Sequence, residues 1–172
     1  MILFRPFIQY LVLKYGISNV VLLLFKPLGI GISLKNEILN INDMKNLSNS
    51  IIKLLILKKK YNLKLSIDAC SSFIFKDFPF FPESIQGCTS ALYTAYIDWN
   101  LNMKPCSFQQ NEPSLNLKNN TILGIWNSEE FNQFRELLIK PRFKGCKKCT
   151  FFYSCQNGCP IEPNIVFCHS KK

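Results

Sequence analysis

Residues 146–160 read Cys146-Lys-Lys-Cys149-Thr-Phe-Phe-Tyr-Ser-Cys155-Gln-Asn-Gly-Cys159-Pro160, and they decide what kind of fold the chain needs. The four cysteines follow the spacing Cys-x2-Cys-x5-Cys-x3-Cys. Thiolate sulfur is a preferred ligand of zinc and of iron–sulfur clusters, and a tight loop can bring several sulfurs to about 2.3 Å from one metal. The spacing therefore predicts a metal centre in this stretch.

The same spacing distinguishes a zinc site from an iron–sulfur site. A zinc ribbon has two Cys-x-x-Cys knuckles separated by roughly a dozen residues or more, whereas this stretch has one knuckle, from Cys146 to Cys149. In two-cluster ferredoxins a compact run ends in Cys-Pro, and that last cysteine ligates the other cluster. Cys159-Pro160 ends this run in the same way, which favours two iron–sulfur clusters.

Three further cysteines complete a wider pattern. Cys88 and Cys106 lie upstream, and Cys168 lies nine positions after Cys159. The complete set resembles the seven-cysteine signature of the SPASM domain, the C-terminal extension of radical SAM peptide maturases and sulfatase-maturing enzymes. One position departs from that signature, because Leu101 stands where the family has a glycine.

The resemblance implies two auxiliary [4Fe-4S] clusters and divides the cysteines between them. One cluster takes Cys146, Cys149, Cys155 and Cys168. The other takes Cys88, Cys106 and Cys159, a set with only three thiols. Cys70 either supplies the fourth ligand or is a small buried apolar residue. In the second case the fourth iron stays open to substrate or water.

The segment between the two cysteine groups also looks like the linking segment of that family. Ser128 is a predicted N-cap, because its hydroxyl can accept a hydrogen bond from a backbone amide of the first helical turn. Phe131, Phe134 and Leu138 then fall on one helical face, and Pro141 ends the helix. The sequence predicts an amphipathic helix between the cysteine groups.

The first seventy residues alternate between predicted helices and strands. The pattern indicates a helix over 7–15 closed by Gly16, a strand over 19–25 suited to burial on both faces, an amphipathic helix over 43–60 and a second buried strand over 63–70. This order is typical of a parallel α/β sheet, and the part resembles the last strands of a radical SAM barrel.

The predicted fold class is therefore α/β, in two parts. Residues 1–75 are expected to be the C-terminal remnant of a parallel partial TIM barrel. Residues 84–172 are expected to be a small SPASM-type iron–sulfur domain with a β-hairpin, a helix and cluster-binding loops.

Two charged residues are candidates for substrate binding. Lys26 and Asp68 follow the predicted parallel strands, at the carboxyl ends where barrel enzymes keep their functional groups. Either residue could face a peptide substrate, and a solvated or capping role at the strand end is the alternative. The sequence assigns no catalytic residue.

Radical SAM chemistry requires a Cys-x3-Cys-x2-Cys loop, whose cluster leaves one iron open to S-adenosylmethionine. No cysteine precedes Cys70 in this sequence. We therefore expect that this chain alone neither binds S-adenosylmethionine nor is catalytic, and that a separate protein or N-terminal part performs the radical step.

Composition limits the class of protein further. With 172 residues, of which 48% are apolar, the chain can bury one core. Its eight cysteines also fit a secreted disulfide scaffold, but residues 1–7 lack a signal-peptide pattern and residues 20–34 are too interrupted to span a bilayer. We expect a reduced, cytoplasmic protein without membrane contact. A solvated lysine-rich face explains the net charge of +10, so a nucleic-acid partner is not favoured.

Three functions remain. The favoured one is a SPASM-domain protein of the ribosomal-peptide maturase family, whose clusters relay electrons or engage the peptide during its post-translational modification. The second is a non-catalytic module that binds a precursor peptide or a partner, such as an ATP-grasp ligase or a radical SAM catalytic protein. The third is a zinc-stabilised binding protein.

Overall fold

The computed structural model describes residues 4–39, 43–71, 87–109, 114–162 and 165. The chain divides into two compact units, Met1–Ile85 and Gln86–Lys172. The first contains a small parallel sheet and the second a small antiparallel sheet, so the predicted mixture of helices and strands is confirmed. None of the helices in the described ranges is long and apolar enough to cross a bilayer. Cys168 lies outside these ranges.

The main elements of the described part of the first unit are two helices, two strands and a long 3-10 segment. These are α1 (Phe4–Tyr15), β1 (Asn19–Leu22), the 3-10 segment (Gly29–Glu37), α2 (Met44–Tyr61) and β2 (Lys64–Ile67). The strands pair in parallel, with Asn19 opposite Lys64 and Leu22 opposite Ile67. The predicted strand–helix–strand order therefore gives the parallel pairing that it favours.

One face of α2 supplies much of the core of the first unit. Ile51, Leu54 and Leu57 are at most 3% exposed, and their three-residue spacing keeps them on one side of the helix. The helix ends at Asn62, whose φ of 51° is left-handed and whose amide donates to the Lys58 carbonyl. The helix predicted over 43–60 is confirmed, displaced by one residue at each end.

The two strands are shorter than predicted, and β1 is buried differently. β1 ends at Leu22 rather than at residue 25, and β2 ends at Ile67 rather than at residue 70. Val21 and Leu23 are 60% and 76% exposed, whereas Leu24 is buried. Burial on both faces was therefore wrong for β1, because alternate side chains point to opposite faces and only one face is covered.

A cavity lies next to β1 in the first unit. A cavity of about 340 Å³ lies between β1 and α2, and its lining includes Leu22, Leu24, Leu47, Ile51 and Leu54. The described residues of this unit contain two paired strands. The partial TIM barrel thus stays a prediction.

Lys26 and Asp68 meet just beyond the ends of the parallel strands. The Lys26 ammonium lies 3.5 Å from Oδ2 of Asp68, and the two side chains are 3% and 22% exposed. Oδ1 of Asp68 accepts a hydrogen bond from the Cys70 amide at 3.3 Å. The two candidate substrate residues thus form a partly buried ion pair, and a role toward a substrate stays a prediction.

We expect Asp68→Ala to weaken the pairing of β1 with β2. The variant takes a carboxylate from a buried ammonium, and the loss of such a charged partner typically costs about 1–3 kcal/mol. Amide hydrogen exchange of residues 19–22 and 64–67 should become about tenfold faster, as measured by mass spectrometry of the full chain.

Lys26→Met is the matched control for this test. Methionine keeps an unbranched apolar side chain and removes the buried charge, and the Asp68 carboxylate that it leaves unpaired is 22% exposed and can be hydrated. Its effect on exchange should therefore be smaller than that of Asp68→Ala. Equal exchange rates in both variants and the unmodified chain would show that the pair does not stabilise the strands.

The second unit begins with an antiparallel sheet and continues in helices. β3 (Tyr96–Ile97), β4 (Asn102–Lys104) and β5 (Leu115–Asn116) pair in that order. They are followed by α3 (Ile122–Trp126), α4 (Glu129–Ile139), a 3-10 segment (Lys144–Lys148) and α5 (Phe152–Cys155). The predicted β-hairpin is formed by β3 and β4, and β5 adds a third strand.

The apolar face of α4 lies in the core of the second unit. The buried cluster of this core consists of Ala91, Met103, Ile125, Phe131, Phe134 and Leu138. The Ser128 hydroxyl accepts a hydrogen bond from the Phe131 amide at 3.5 Å, which caps the helix. α4 ends at Ile139, two residues before Pro141. The predicted helix, its cap and its apolar face are confirmed.

Candidate metal centre

The two upstream cysteines flank the β3–β4 hairpin and lie against the core of the second unit. Cys88 precedes β3, and Cys106 follows β4. Both are partly buried and pack against the apolar cluster of α4. Ile161, two residues after Cys159, packs against the same cluster. The fold therefore brings the neighbourhoods of all three cysteines to one apolar surface.

A hydrogen-bond network centred on Asp98 shapes the turn between β3 and β4. Oδ1 of Asp98 accepts from the backbone amides of Asn100 and Asn102, both at 2.9 Å. Oδ2 accepts from the Asn102 side chain at 3.1 Å and lies 3.7 Å from the Lys104 ammonium. The bond from the Asn102 amide is the largest of the effects that lower the pKa of the Asp98 carboxyl. The ionised carboxylate therefore stabilises this turn.

Leu101 lies in the same turn, at the position where the seven-cysteine signature has a glycine. Its φ is +66°, in the left-handed region. A side chain in this region crowds the following carbonyl, at a cost of about 1–2 kcal/mol that glycine avoids. The Leu101 amide donates to the Asp98 carbonyl at 2.9 Å. The turn thus keeps a glycine-type conformation with a leucine in it.

We expect Leu101→Gly to be more stable than Leu101→Ala by about 1 kcal/mol. Both variants lose the leucine side chain, but only glycine relieves the backbone strain. Trp99 and Trp126 both lie in the second unit, so urea unfolding followed by tryptophan fluorescence reports on it.

The control pair is Asn100→Gly and Asn100→Ala. Asn100 is exposed and is not one of the described residues with positive φ, so its glycine variant should be the less stable one. The same order at both positions would contradict a strained backbone at Leu101.

The downstream cysteines lie on two short helical segments and the loop after them. Cys146 is buried in the 3-10 segment, and its carbonyl accepts from the amide of the exposed Cys149 at 3.2 Å. Cys155 ends α5 and is partly buried. Cys159 is buried, and its sulfur accepts a hydrogen bond from the Glu162 amide at 3.4 Å. A hydrogen bond of this kind favours the thiolate form of a cysteine.

Asn157 joins this loop to the end of α4. It is 3% exposed. Its side-chain nitrogen donates to the carbonyls of Leu137 and Lys140 at 3.1 and 2.9 Å. Its side-chain oxygen accepts from the Arg142 amide at 2.9 Å. One buried amide group therefore satisfies carbonyls at the helix end that would otherwise lack partners.

The chain reverses tightly between Cys155 and Cys159. Gln156, Asn157 and Gly158 have φ values of 49°, 64° and 83° in succession. Such values are uncommon for residues with a side chain, and asparagine is one of the few that tolerate them. The three residues thus turn Cys159 back toward the core.

Gly87 brings the upstream and downstream cysteine segments together. It is buried and precedes Cys88. A β-carbon at Gly87 would lie 2.5 Å from the Ser154 carbonyl oxygen and 2.6 Å from the Gln156 side-chain oxygen. Because Ser154 and Gln156 flank Cys155, the segment that carries Cys88 packs directly on the segment that carries Cys155. Only glycine fits at this contact.

Arg142 lies among the downstream cysteines. Its Nη2 donates to the Asn157 carbonyl at 2.7 Å. Its Nε is buried without an acceptor in the part of the chain that the structure describes, which typically costs about 1–3 kcal/mol. Burial lowers the pKa of the Arg142 guanidinium, while the charges of Cys159, Cys146 and Cys155 oppose that shift. A cation with an unused donor thus lies against the turn that leads from Cys155 to Cys159.

The cysteine thiols of the second unit are chemically suited to ligate an iron–sulfur cluster. No disulfide joins any two of the seven described cysteines. Within the described ranges, no group of three or more His, Cys, Asp or Glu side chains is arranged to hold a metal ion. In small metal-held domains the ligands converge as the metal binds. The Cys159 sulfur already accepts a hydrogen bond from the Glu162 amide, and hydrogen bonds to sulfur are among the factors that tune iron–sulfur clusters.

Residues 88–150 match the family model of SPASM, an iron–sulfur cluster-binding domain. The chain carries a SPASM segment. The matched residues include Cys88, Cys106, Cys146 and Cys149, so the resemblance stated from the sequence is confirmed over this range, and the match implies iron–sulfur cluster binding. No curated protein and no solved structure matches the chain.

Three residues in or near the SPASM segment were not found from the sequence. Gly87, Arg142 and Asn157 act through contacts that span many residues of chain. The Asn157-Gly158 dipeptide is a turn signal and was the only available indication. Cys70 lies in the first unit and is partly rather than fully buried, and its role as a ligand stays a prediction.

Proposed function

We propose that this protein belongs to the ribosomal-peptide maturase family and binds two auxiliary [4Fe-4S] clusters. The observation that carries the proposal is the match of residues 88–150 to an iron–sulfur cluster-binding domain. The finer assignment rests on the seven cysteine positions and on the contacts between the segments that carry them.

The upstream cluster is assigned to Cys88, Cys106 and Cys159. The packing of the first two thiols and of Ile161 against one apolar cluster supports this grouping, because Ile161 lies only two residues after Cys159. Cys70 is proposed as the fourth ligand, and an open iron is the alternative.

The downstream cluster is assigned to Cys146, Cys149, Cys155 and Cys168. The hydrogen bond from the Cys149 amide to the Cys146 carbonyl supports this set, since it holds the first two thiols on one tight turn. Asn157 supports it as well, because it anchors the segment after Cys155 to α4.

When bound, such clusters supply one-electron transfer or a coordination position for a substrate. Residues of this chain provide three features that suit such clusters. The apolar cluster shields Cys88 and Cys106 partly from water. The Glu162 amide stabilises negative charge on the Cys159 sulfur. Gly87 permits the close packing of the two cysteine segments.

The proposed substrate is a precursor peptide, met in the cytoplasm. Lys26 and Asp68 are candidate peptide contacts, supported by their meeting just beyond the ends of β1 and β2. A radical SAM catalytic protein or an ATP-grasp ligase is the proposed partner. The proposal assigns no S-adenosylmethionine site to this chain.

Metal analysis tests the proposal directly. After anaerobic reconstitution with iron and sulfide, the full chain should contain about eight irons and eight sulfides, as expected for two [4Fe-4S] clusters. The brown protein should absorb near 400 nm. Stoichiometric zinc without sulfide would reject the proposal in favour of a zinc-stabilised binding protein.

Replacement of single cysteines tests how the ligands are divided. Cys149→Ala should lower the iron content to about four per chain and leave the upstream cluster's spectrum unchanged, because one ligand of the downstream [4Fe-4S] cluster is lost. Cys159→Ala should do the converse. Iron analysis and electron paramagnetic resonance of the reduced protein distinguish the two results.

Cys70→Ala is the companion variant in this series. Loss of about four irons would make Cys70 the fourth ligand of the upstream cluster, and unchanged iron would indicate an open position. If Cys149→Ala and Cys159→Ala remove the same cluster, the division of ligands is wrong. A single four-cysteine site within residues 146–159 would then be the better account.

A further inference from the structure

Arg142 is held in place by contacts that leave one of its donors unused. Its backbone amide donates to Oδ1 of Asn157 at 2.9 Å. Its Nη2 donates to the Asn157 carbonyl at 2.7 Å and approaches the Gly158 carbonyl at 3.5 Å. The guanidinium is thus fixed to the turn between Cys155 and Cys159. Its Nε remains buried, with no acceptor in the described ranges.

The surroundings of Arg142 indicate which kind of acceptor could bind its Nε–H. Buried polar groups nearly always have a partner, and an exception calls for an explanation such as an ion that binds there. The guanidinium lies against the carbonyls of Asn157 and Gly158, the two residues directly before Cys159. An acceptor that binds at Cys159 would therefore bind close to the guanidinium and its unused Nε–H.

We propose that Arg142 donates its Nε–H to a sulfur of the cluster that Cys159 ligates, and that its positive charge stabilises the reduced state of that cluster. This inference rests on the proposed iron–sulfur function. Hydrogen bonds to the sulfurs and net charge are among the factors that set cluster potentials. Arg142 is thus a positioning residue that tunes the centre without ligating it.

Arginine is suited to this role where lysine is not. The rigid guanidinium presents several donors in one plane, so Nη2 can hold the Asn157 carbonyl while Nε points elsewhere. The nearby lysines Lys144, Lys147 and Lys148 are exposed. Their ammonium groups are strongly hydrated and screened by salt, so they influence a buried sulfur less.

The test compares reduction of the reconstituted full chain with and without Arg142. At one fixed ambient potential, Arg142→Met should lower the ratio of reduced to oxidised cluster about tenfold, which is a shift of about 59 mV for a one-electron couple. Arg142→Lys keeps the charge and should show a smaller decrease. Both ratios are measured by electron paramagnetic resonance in redox-buffered samples.

Arg135→Met is the matched control. Arg135 is also a partly buried arginine of the second unit, but its hydrogen bonds go to Ala91, Asn132 and Trp126. Its replacement should change stability and leave the cluster ratio within about twofold of the unmodified protein. An equal loss in Arg135→Met and Arg142→Met would overturn the proposal, because the effect would then come from general disturbance of the fold.

A spectroscopic measurement does not depend on how the variants fold. In unmodified protein labelled with ¹⁵N-arginine, a pulsed resonance experiment on the reduced cluster should detect a coupled arginine nitrogen. Arg142→Lys should lose that coupling. Absence of the coupling in iron-loaded unmodified protein, or an unchanged ratio in iron-loaded Arg142→Met, would overturn the role of Arg142 alone. Unmodified protein that binds no iron would instead overturn the proposed function.

Discussion

The Asn157 side chain donates to the carbonyls of Leu137 and Lys140 and accepts from the Arg142 amide, so one buried amide group joins the end of α4 to the cysteine loop. α5 itself contributes no buried side chain, whereas Cys146 before it and Cys159 after it are buried. Directional hydrogen bonds therefore act together with apolar contacts, such as that of Ile161 with the core, to set where the thiols lie. The core holds α4 in place, and the hydrogen bonds of Asn157 in turn hold the loop against the end of α4.

Features with a local cause could be predicted from the sequence. The cap at Ser128 and the apolar face that includes Phe131 and Leu138 follow from spacing within one helix, and the structure reproduces both. α1 ends before Gly16, whose φ of +64° suits the end of a helix. The cysteine spacing identified the kind of centre because tight metal loops require near neighbours in sequence. Each of these predictions needed information from only a short stretch of chain.

The features that were missed depend on partners far away in the sequence. Gly87 is needed because the segment around Ser154 packs on it, and no pattern near residue 87 announces that contact. Arg142 matters because its Nε is buried without an acceptor in the described ranges and its guanidinium bonds to Asn157, 15 residues further along the chain. The exposure of Val21 follows from which face of β1 is covered, which strand composition does not reveal. Local signals thus indicated candidate ligands, while packing showed which residues hold the candidate segments in place.

The positively charged residues near the cysteine loop act over two different distances. The exposed Lys144, Lys147 and Lys148 contribute to the net charge of +10 and surround a loop that becomes more negative when thiolates form. Salt screens such exposed charges over roughly 8–10 Å, so they act mainly as a general attraction for anions. Arg142 is partly buried and is screened much less. The same unit therefore separates two tasks, with surface lysines compensating charge overall and one arginine acting on individual sulfurs at short range.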